Sequence, residues 1–380
     1  NPSGVGHTST NCLLITPDGM LNHFFSADGG SPNQTRVWTR SKPVGGGSWS
    51  SLTEVSSAVN GGNFGWAAVD STGGIYAVWV KIRFDPNRGE LYGRYKPLGG
   101  NWGPIETLKV SSSGGWPSGN WVSANGTRFY VGYYVGSNQF CRVRNNGTLE
   151  AERQLPNKGT SPRAVGTTTG QIDVVYHVDW KNWVTTSYDN GATWTAPMAI
   201  STGSYLDRNA LPFHDAGGNL HILWQKLKQS SGGSDTYYRC RIGGIWQDEY
   251  SLSPWDRGNS YPGPGSAKAR GNDLHVLFIA DYAVDDYGDA CYMMKPGITP
   301  PAPGPVTSFT ATTGENRVQL SWHNPSDQYY TGTMVRMSTS GYPTGPFAGT
   351  QVCYRNALPG SNDSFLVYPL TAGTRYYFSA

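Results

Sequence analysis

The sequence predicts an all-β protein, and three observations support this fold class. Fifty Gly and 25 Pro among 380 residues favour tight turns, whereas 23 Tyr and 14 Trp favour aromatic-rich strands. One short strand pattern recurs six times along the chain. A Pro-rich segment then separates a different C-terminal part. We therefore expect a repeat architecture followed by a second domain.

The recurring strand begins with an apolar residue and ends four positions later with an aromatic residue. Its copies occupy residues 21–25, 75–79, 129–133, 172–176, 220–224 and 274–278. The terminal aromatics are 43 to 54 residues apart, a period typical of one four-stranded β-propeller blade. A turn with Gly or Asn precedes each copy, and a shorter apolar run before that turn is the expected innermost strand. We predict that residues 1–298 form a six-bladed β-propeller.

One turn in the fourth repeat matches a specific motif. It reads Ser187-Tyr188-Asp189-Asn190-Gly191-Ala192-Thr193-Trp194, which fits the pattern S-x-D-x-G-x-T-W. The repeat resembles the Asp-box, or BNR, repeat of sialidase-like propellers, a group that includes sialidases and other extracellular glycan-handling proteins. The carboxylate of Asp189 can accept backbone N–H bonds, Gly191 can adopt positive φ, and Trp194 can cover the turn. We therefore expect Ser187, Asp189, Gly191, Thr193 and Trp194 to be structural.

The sixth repeat leaves the closure of the propeller open. Residues 290–294 lead directly into the Pro-rich segment, without an obvious fourth strand, and residues 1–6 are short and Gly-rich. We expect either a short sixth blade or missing sequence before Asn1. Unfinished strand edges also make self-assembly through the terminal strands an alternative role.

The C-terminal part has its own pattern of strands. Residues 299–305 are a Pro-rich linker, and residues 306–380 contain strand-like runs at 306–311, 317–322, 333–338 and 376–379. This part resembles a fibronectin type III domain, because Trp322 fits the buried core Trp and residues 370–376 resemble the tyrosine corner. The chain stops at Ala380, just after the strand that carries Tyr376, so we expect a partial β-sandwich that is C-terminally incomplete.

Composition excludes several classes of function. The net charge of +3 is spread without a Lys/Arg run, so nucleic acid is not an expected partner. No apolar stretch approaches the roughly 18 residues of a membrane span, so we expect no membrane insertion. The five cysteines lack CxxC spacing and are expected to be small buried hydrophobes. The family resemblance implies a secreted or cell-surface protein.

Ligands of propellers usually meet the channel mouth, where the innermost strands and the loops before them converge. Arg side chains there could hold the carboxylate of an acidic sugar, and indole rings could stack on a pyranose. Residues placed at or just before the inner strands are His7, Trp66, Trp116, Asn120, Arg163, Arg208 and Tyr261. Each of them could instead pack between blades.

Enzymatic roles need further residues. Resemblance to sialidases implies an arginine triad, a Tyr nucleophile paired with Glu, and an Asp acid/base, but the Phe/Tyr-Arg-Ile-Pro segment is missing. Arg163 and Arg208 are at suitable positions, and Glu249 with Tyr261 is a candidate pair. A polysaccharide lyase needs a proton-transferring His or Tyr and an Arg for the uronate carboxylate, which His7, Tyr261 and Arg163 could supply.

An acidic segment raises the question of a metal site. Asp281, Asp285, Asp286 and Asp289 could hold Ca²⁺, but their spacing is not that of an EF-hand, and a solvated acidic loop is favoured. No other cofactor is expected. The leading hypothesis is a non-catalytic extracellular recognition or structural module that binds a glycan or a protein through one propeller face. A polysaccharide lyase or glycoside hydrolase with its site at the channel mouth is the alternative.

Overall fold

The computed structural model describes most of the chain. The described residues are 11–28, 35–57, 59–84, 87–111, 115–201, 206–215, 217–227, 234–252, 260–270, 273–280, 289–295, 304–326, 330, 332–345, 348–355 and 357–380. The chain divides into two compact units, Asn1–Met294 and Lys295–Ala380. Throughout the described residues the regular structure is β-strand, as the composition predicts.

The first unit contains six antiparallel sheets, numbered here in chain order within the described residues. Sheet 1 contains β1 (Asn11–Ile15), β2 (Met20–Asp28), β3 (Thr35–Pro43) and β4 (Thr53–Glu54). Sheet 2 contains β5 (Asn63–Val69), β6 (Ile75–Phe84), β7 (Asn87–Lys96) and β8 (Ile105–Ser111). Sheet 3 contains β9 (Ser118–Asn125), β10 (Arg128–Val135), β11 (Asn138–Asn145), β12 (Thr148–Leu149) and β13 (Arg153–Lys158).

The next three sheets continue the same meander. Sheet 4 contains β14 (Thr160–Gly166), β15 (Ile172–Val178), β16 (Lys181–Ser187) and β17 (Met198–Ala199). Sheet 5 contains β18 (Leu206–His214), β19 (Leu220–Leu227), β20 (Ser234–Ile242), β21 (Ile245–Trp246) and β22 (Tyr250–Ser251). Sheet 6 contains β23 (Ser260–Arg270), β24 (Asp273–Ala280) and β25 (Asp289–Lys295). The six recurring patterns thus fall within the second strands of the six sheets.

The first strands lie side by side in chain order: β1 contacts β5, β5 contacts β9, β9 contacts β14, β14 contacts β18, and β18 contacts β23. They are therefore the inner strands of the unit, as the sequence predicts. Separate apolar cores fill the spaces between successive sheets from sheet 1 to sheet 5. The terminal aromatics of the first five patterns are almost fully buried; they are Phe25, Trp79, Tyr133, Tyr176 and Trp224.

Third-strand arginines connect neighbouring sheets. Arg239 of β20 donates from Nε to the Gln247 carbonyl at 2.8 Å and from Nη1 to the Ile200 carbonyl of sheet 4, also at 2.8 Å. Arg94 and Arg142 make the same pair of bonds, one within their own sheet and one to the preceding sheet. A guanidinium can serve two carbonyls at once because its N–H groups form a fixed fork. These three third-strand arginines are therefore inter-sheet ties.

The turn after β16 is closed by its own side chains. The backbone N–H of Thr193 donates to Asp189 Oδ1 at 2.8 Å, and its hydroxyl donates to Oδ2 at 2.6 Å. The N–H of Gly191, at φ 88°, donates to Ser187 Oγ at 2.7 Å. Hydrogen bonds from Thr193 and Ser187 hold the pKa of Asp189 at about 2. Trp194 packs against the core between sheets 3 and 4. All five motif residues therefore take part in building the turn or packing it.

The second unit contains two three-stranded sheets within its described residues. One contains β26 (Thr307–Gly314), β27 (Arg317–His323) and β30 (Asn362–Val367), and the other contains β28 (Thr333–Ser338), β29 (Thr350–Arg355) and β31 (Tyr377–Ser379). They share one apolar core in which Trp322 is 2% exposed. The backbone N–H of Thr371 donates to the Tyr376 hydroxyl at 3.1 Å. β29 and β30 were not expected from the sequence.

The cysteines behave as the sequence predicts where they are described. Cys12, Cys141, Cys240 and Cys353 are buried free thiols. Burial raises the pKa of Cys12 and Cys141 to about 12. Low exposure and disfavoured ionisation both make these thiols poor nucleophiles.

The proposed metal ligands cannot be placed as a group. Three of the four residues lie outside the described residues: Asp281, Asp285 and Asp286. The fourth, Asp289, is the first residue of β25, but only its backbone is described. Within the described ranges, no three His, Cys, Asp or Glu side chains are grouped so that they could hold a metal ion. Among the same residues, no helix of the length and apolarity needed to cross a membrane is present.

Candidate functional site

A cavity of about 200 Å³ lies between sheets 4 and 5. Residues from β14, β15, β16 and β18 form its wall. They are Ser161, Arg163, Val175, Tyr176, His177, Asn182, Arg208, Asn209 and Ala210. We call this cavity the Arg163–Arg208 pocket. It is smaller than the roughly 300 Å³ of an ordinary small-molecule site, so its volume suits one charged group or one sugar ring.

Irregular pairing of the inner strands shapes the pocket. The β14–β15 register shifts between Thr160 and Arg163, and the β18–β19 register shifts between Arg208 and Leu211. Ser161 and Asn209 lie within these shifts and adopt positive φ values of 52° and 51°. Bulges bend a strand and redirect its side chains, and they are frequent beside functional sites. Here they position Arg163 and Arg208 on the wall of one cavity.

Arg163 is held from two sides. Its Nη1 donates to the Ala210 carbonyl at 2.8 Å, and its guanidinium carbon lies 4.9 Å from the centroid of the Trp121 ring. Burial lowers the pKa of Arg163 to about 10. The group still carries its charge at neutral pH, because even the lowered value is well above 7.

The stack on Arg163 continues into sheet 2. Trp121 of β9 is 8% exposed and stacks on Trp66 of β5, with ring centroids 5.0 Å apart. Trp66, Trp121 and Arg163 occupy the same place in three consecutive sheets, since each pairs with the fourth residue of its recurring pattern. These three side chains therefore form a continuous stack across the inner strands.

Arg208 occupies the rim of the pocket. It is exposed, and its guanidinium carbon lies 4.8 Å from the centroid of the Trp180 ring. Asp207, the preceding residue, is fully buried, because successive side chains of a strand point to opposite faces. Asp207 Oδ2 accepts a hydrogen bond from Ser201, and Asp207 is not among the residues that line the pocket.

Two further polar residues contribute to the wall. His177 Nδ1 lies 3.4 Å from Asn182 Oδ1. Asn182 is 2% exposed, and its Nδ2 has no hydrogen-bond partner among the described residues. A buried amide N–H without a partner has lost its hydration, so an acceptor that reached it would be stabilised. Tyr176 contributes a buried ring whose pKa is raised to about 12 by burial.

The charge of the wall is one-sided. The residues that line the pocket include two guanidinium groups and one imidazole, and none of these lining residues is Asp or Glu. The arrangement can accept an anionic group, with the guanidinium forks as charged donors and the Asn182 amide as a neutral donor. Among these described lining residues there is no pair of carboxylates of the kind that most glycoside hydrolases place on either side of the bond they cleave.

The structure brings together only some of the residues singled out in the sequence. Arg163 and Arg208 share the pocket, and Trp66 reaches Arg163 through Trp121. Asn120 packs against Gly65, and Trp116 packs against Gly89; neither lines the pocket. His7 lies outside the described residues, and Tyr261 lies in β23 with its side chain outside the description.

Sequence reasoning missed Trp121, His177, Trp180 and Asn182. A usable signal existed for Trp121, since it precedes its recurring pattern by eight residues, as Trp66 and Arg163 precede theirs by nine. His177 and Asn182 flank the hairpin between β15 and β16, whose tip is Asp179-Trp180. That tip lacks the Gly or Asn typical of such turns, so the hairpin gave no sequence signal.

The Asp189 turn is at the opposite end of β16 from the pocket. Asn182 pairs with His177 at the pocket end of this strand, and Ser187 pairs with Ile172 at the other end. Five residues of extended strand separate the two ends by roughly 17 Å. The turn therefore takes no part in the wall of the pocket.

No protein-family model matches the chain, and no curated protein matches it. Similar folds occur among solved structures. An α-L-arabinofuranosidase from Fusarium graminearum aligns at 10% identity and a TM-score of 0.50, covering 78% of this chain and 95% of that chain. The β-propeller domain of the Trilobed protease from Pyrococcus furiosus aligns at 8% identity and a TM-score of 0.46, covering 84% and 90%. An α-L-arabinanase from Penicillium chrysogenum aligns at 10% identity and a TM-score of 0.41, covering 84% and 90%.

At these identities the likeness concerns the fold and carries no activity over to this chain. The successive meanders of three to five strands, their adjacent inner strands and the likeness to the arabinofuranosidase agree with one architecture. The chain is all-β, and its first unit has a β-propeller fold.

Proposed function

We propose that this protein is an extracellular recognition module that binds an acidic glycan through the Arg163–Arg208 pocket. The observation that carries the proposal is the wall of that pocket: its lining residues include two arginines and Asn182, whose Nδ2 has no partner among the described residues, and they include no carboxylate. A sugar carboxylate can accept two parallel N–H bonds from one guanidinium, which a neutral hydroxyl cannot do. Uronates are therefore the favoured ligand class.

The residues that carry the resemblance to Asp-box and fibronectin type III proteins support an extracellular glycan-handling role. The hydrogen bonds of Asp189 with Thr193 fit an Asp-box turn, and the bond between Thr371 and Tyr376 fits a tyrosine corner. We propose on this basis that the propeller is sialidase-like and that the second unit is a fibronectin type III-like spacer. A secreted or cell-surface location follows from the same proposal.

A polysaccharide lyase is the second candidate, and one observation favours it. His177 lies in the same pocket as both arginines, so a proton-transferring group and carboxylate-binding groups occupy one cavity. Lyases need this combination, because neutralising the uronate carboxylate makes the neighbouring C–H proton easier to remove. The missing carboxylate pair makes a glycoside hydrolase the less favoured enzyme.

Binding and turnover can be measured in one experiment. The intact chain is titrated with uronate oligosaccharides and with neutral oligosaccharides of equal length, and ultraviolet absorbance of unsaturated uronates is followed in parallel. We expect binding of the uronates alone, weakened by added salt because the interaction is ionic. Arg208→Gln should lower the affinity roughly tenfold or more, since it removes a charged donor.

The control is Arg317→Gln, which removes the same charge from an exposed position of the second unit. It should leave uronate affinity unchanged. Binding with turnover that is lost in His177→Gln would establish the lyase. Equal binding of neutral and acidic sugars would contradict a carboxylate site, and absence of all binding would favour a structural or assembly role.

A further inference from the structure

The hairpin tip beside the pocket has an unusual backbone. The β15–β16 register pairs Val178 with Lys181, which leaves Asp179 and Trp180 as a two-residue turn. Their φ values are 46° and 62°, the left-handed region that such a turn requires. Gly and Asn adopt this region at little cost, whereas a bulky side chain there is strained. A Trp at this position is therefore unfavourable for the turn itself.

Trp180 also gains little from burial. Its surface is 50% exposed, and it touches the pocket wall through an edge-on contact with His177, at a ring-centroid distance of 6.3 Å. Arg208 lies over the ring at 4.8 Å. An exposed cation–π contact is weak, so it does little more than offset the backbone strain. The indole thus adds little net stability to the folded chain.

The backbone of the hairpin tip is nevertheless held in place. The Asp207 N–H donates to the Trp180 carbonyl at 2.7 Å, which ties the hairpin tip to the start of β18. Strained, exposed and firmly held residues occur mainly where a ligand uses them. A half-exposed indole next to a carboxylate-binding pocket has the form of a stacking surface for a sugar ring.

We infer that Trp180 is a second subsite, which stacks the sugar ring adjacent to the uronate whose carboxylate enters the Arg163–Arg208 pocket. The inference rests on the proposed function and adds a requirement for the length of the glycan ligand. The pocket holds about one ring, so the neighbouring ring must lie outside it. Arg208 contacts Trp180 and also lines the pocket, so the two subsites are contiguous. The site then prefers an acidic oligosaccharide of two or more residues to a single uronate.

The test compares ligand length in wild type and in Trp180→Gly. Affinities for a methyl uronide and for a diuronide are measured by NMR titration, and thermal unfolding is recorded for both proteins. We expect wild type to bind the diuronide more tightly than the methyl uronide by roughly 3- to 10-fold, the range for one aromatic contact. Trp180→Gly should lose this preference, bind the methyl uronide as wild type does, and unfold at an equal or higher temperature.

Trp180→Asn is the second variant, because Asn also tolerates positive φ while it removes the ring. It should behave as Trp180→Gly does. A diuronide preference that survives in both variants would overturn the Trp180 subsite and leave the pocket standing. Failure of wild type to bind either uronide would overturn both the subsite and the proposed function.

Discussion

Trp121 lies between Trp66 and Arg163, with its ring centroid 5.0 Å from that of Trp66 and 4.9 Å from the guanidinium carbon of Arg163. The three residues come from β5, β9 and β14, so this stack crosses three sheets. One face of the guanidinium therefore rests on an aromatic ring, while one of its N–H groups is bound to Ala210. Trp121 acts as a positioning residue for Arg163.

The first prediction concerns this positioning. Trp121→Phe keeps a ring under Arg163 and removes an indole N–H that has no partner among the described residues. We therefore expect the free energy of unfolding to change by less than about 1.5 kcal/mol and the uronate affinity to stay near that of wild type. Trp121→Leu removes the ring, and we expect a loss of about 2–4 kcal/mol together with weaker binding. Urea unfolding and NMR titration measure the two effects.

The matched control is Trp38→Leu in sheet 1. Trp38 is partly buried and, like Trp121, has an indole N–H without a partner among the described residues, but it is not part of the stack. It should destabilise the fold without changing uronate affinity. Equal affinities for Trp121→Leu and wild type, under conditions where both are folded, would show that Arg163 does not depend on the ring.

The second prediction concerns the ties between sheets. Arg239→Met keeps the length of the side chain but leaves the Ile200 and Gln247 carbonyls without their charged donor. We expect unfolding to become easier by about 3 kcal/mol, since each bond to a charged group contributes about 1.5–3 kcal/mol and the two are not additive. Urea unfolding of the whole chain measures the change.

Arg239→Lys separates charge from geometry. An ammonium is a compact charge that cannot reproduce the fork to two carbonyls, so Lys should recover only part of the loss. Arg375→Met, at an exposed position of the second unit, should change stability by less than about 0.5 kcal/mol. Full recovery by Lys would mean that charge alone makes the tie.

Periodicity made the architecture predictable. The pattern of an apolar residue and, four positions later, an aromatic residue recurs because sheets 2 to 5 bury both positions, as Ile75 and Trp79 show in sheet 2. The two pocket arginines were also predictable, because inner strands converge in any propeller. Local sequence determines these features, so reading along the chain finds them.

The rest of the site depends on contacts that local sequence does not encode. His177 and Arg208 line one pocket where two inner strands bulge at Ser161 and Asn209, neither of which is Gly. The tip at Asp179-Trp180 forms a tight turn against its residue preferences, held by the Asp207 N–H of another sheet. Tertiary contacts override local propensity here, so a pattern of single residues cannot reveal the hairpin.

The third prediction concerns the turn after β16. Gly191→Ala would place a methyl group at φ 88° and into the side chain of Arg153, which is ion-paired to Glu150 at 2.6 Å. Gly147→Ala has a similar φ of 83° but meets nothing within 4 Å. We expect Gly147→Ala to lower the free energy of unfolding by about 1 kcal/mol through backbone strain alone. Gly191→Ala should lower it by about 1–3 kcal/mol more, because the added methyl group also clashes with Arg153. Parallel urea unfolding of the two variants gives the difference, and equal losses would show that Arg153 moves aside freely.

The fourth prediction concerns acid. Asp173 of β15 is fully buried; its Oδ1 accepts from Arg241 at 2.7 Å and its Oδ2 lies 2.9 Å from His214 Nε2. Burial opposes its ionisation, but the bonds from His214, Arg241 and Thr186 outweigh burial and hold the pKa of Asp173 at about 2, below the ordinary 3.8. A lowered folded-state pKa gives stability that is present above the unfolded value and is lost as pH falls toward the folded value.

Between about pH 4 and pH 2, we therefore expect protonation of Asp173 to lower the free energy of unfolding of wild type by as much as about 1.4 kcal/mol per pH unit. The total loss from this residue should be about 2 kcal/mol. Asp173→Asn should lower the free energy of unfolding by about 3–5 kcal/mol at neutral pH, because Arg241 loses its buried partner. The stability of this variant should then fall less steeply than that of wild type as the pH is lowered. Asp248→Asn, at an exposed position, should keep both the wild-type stability and the wild-type slope. Urea unfolding at several pH values measures all three chains; an acid slope in Asp173→Asn equal to that of wild type would place the acid sensitivity in other carboxylates.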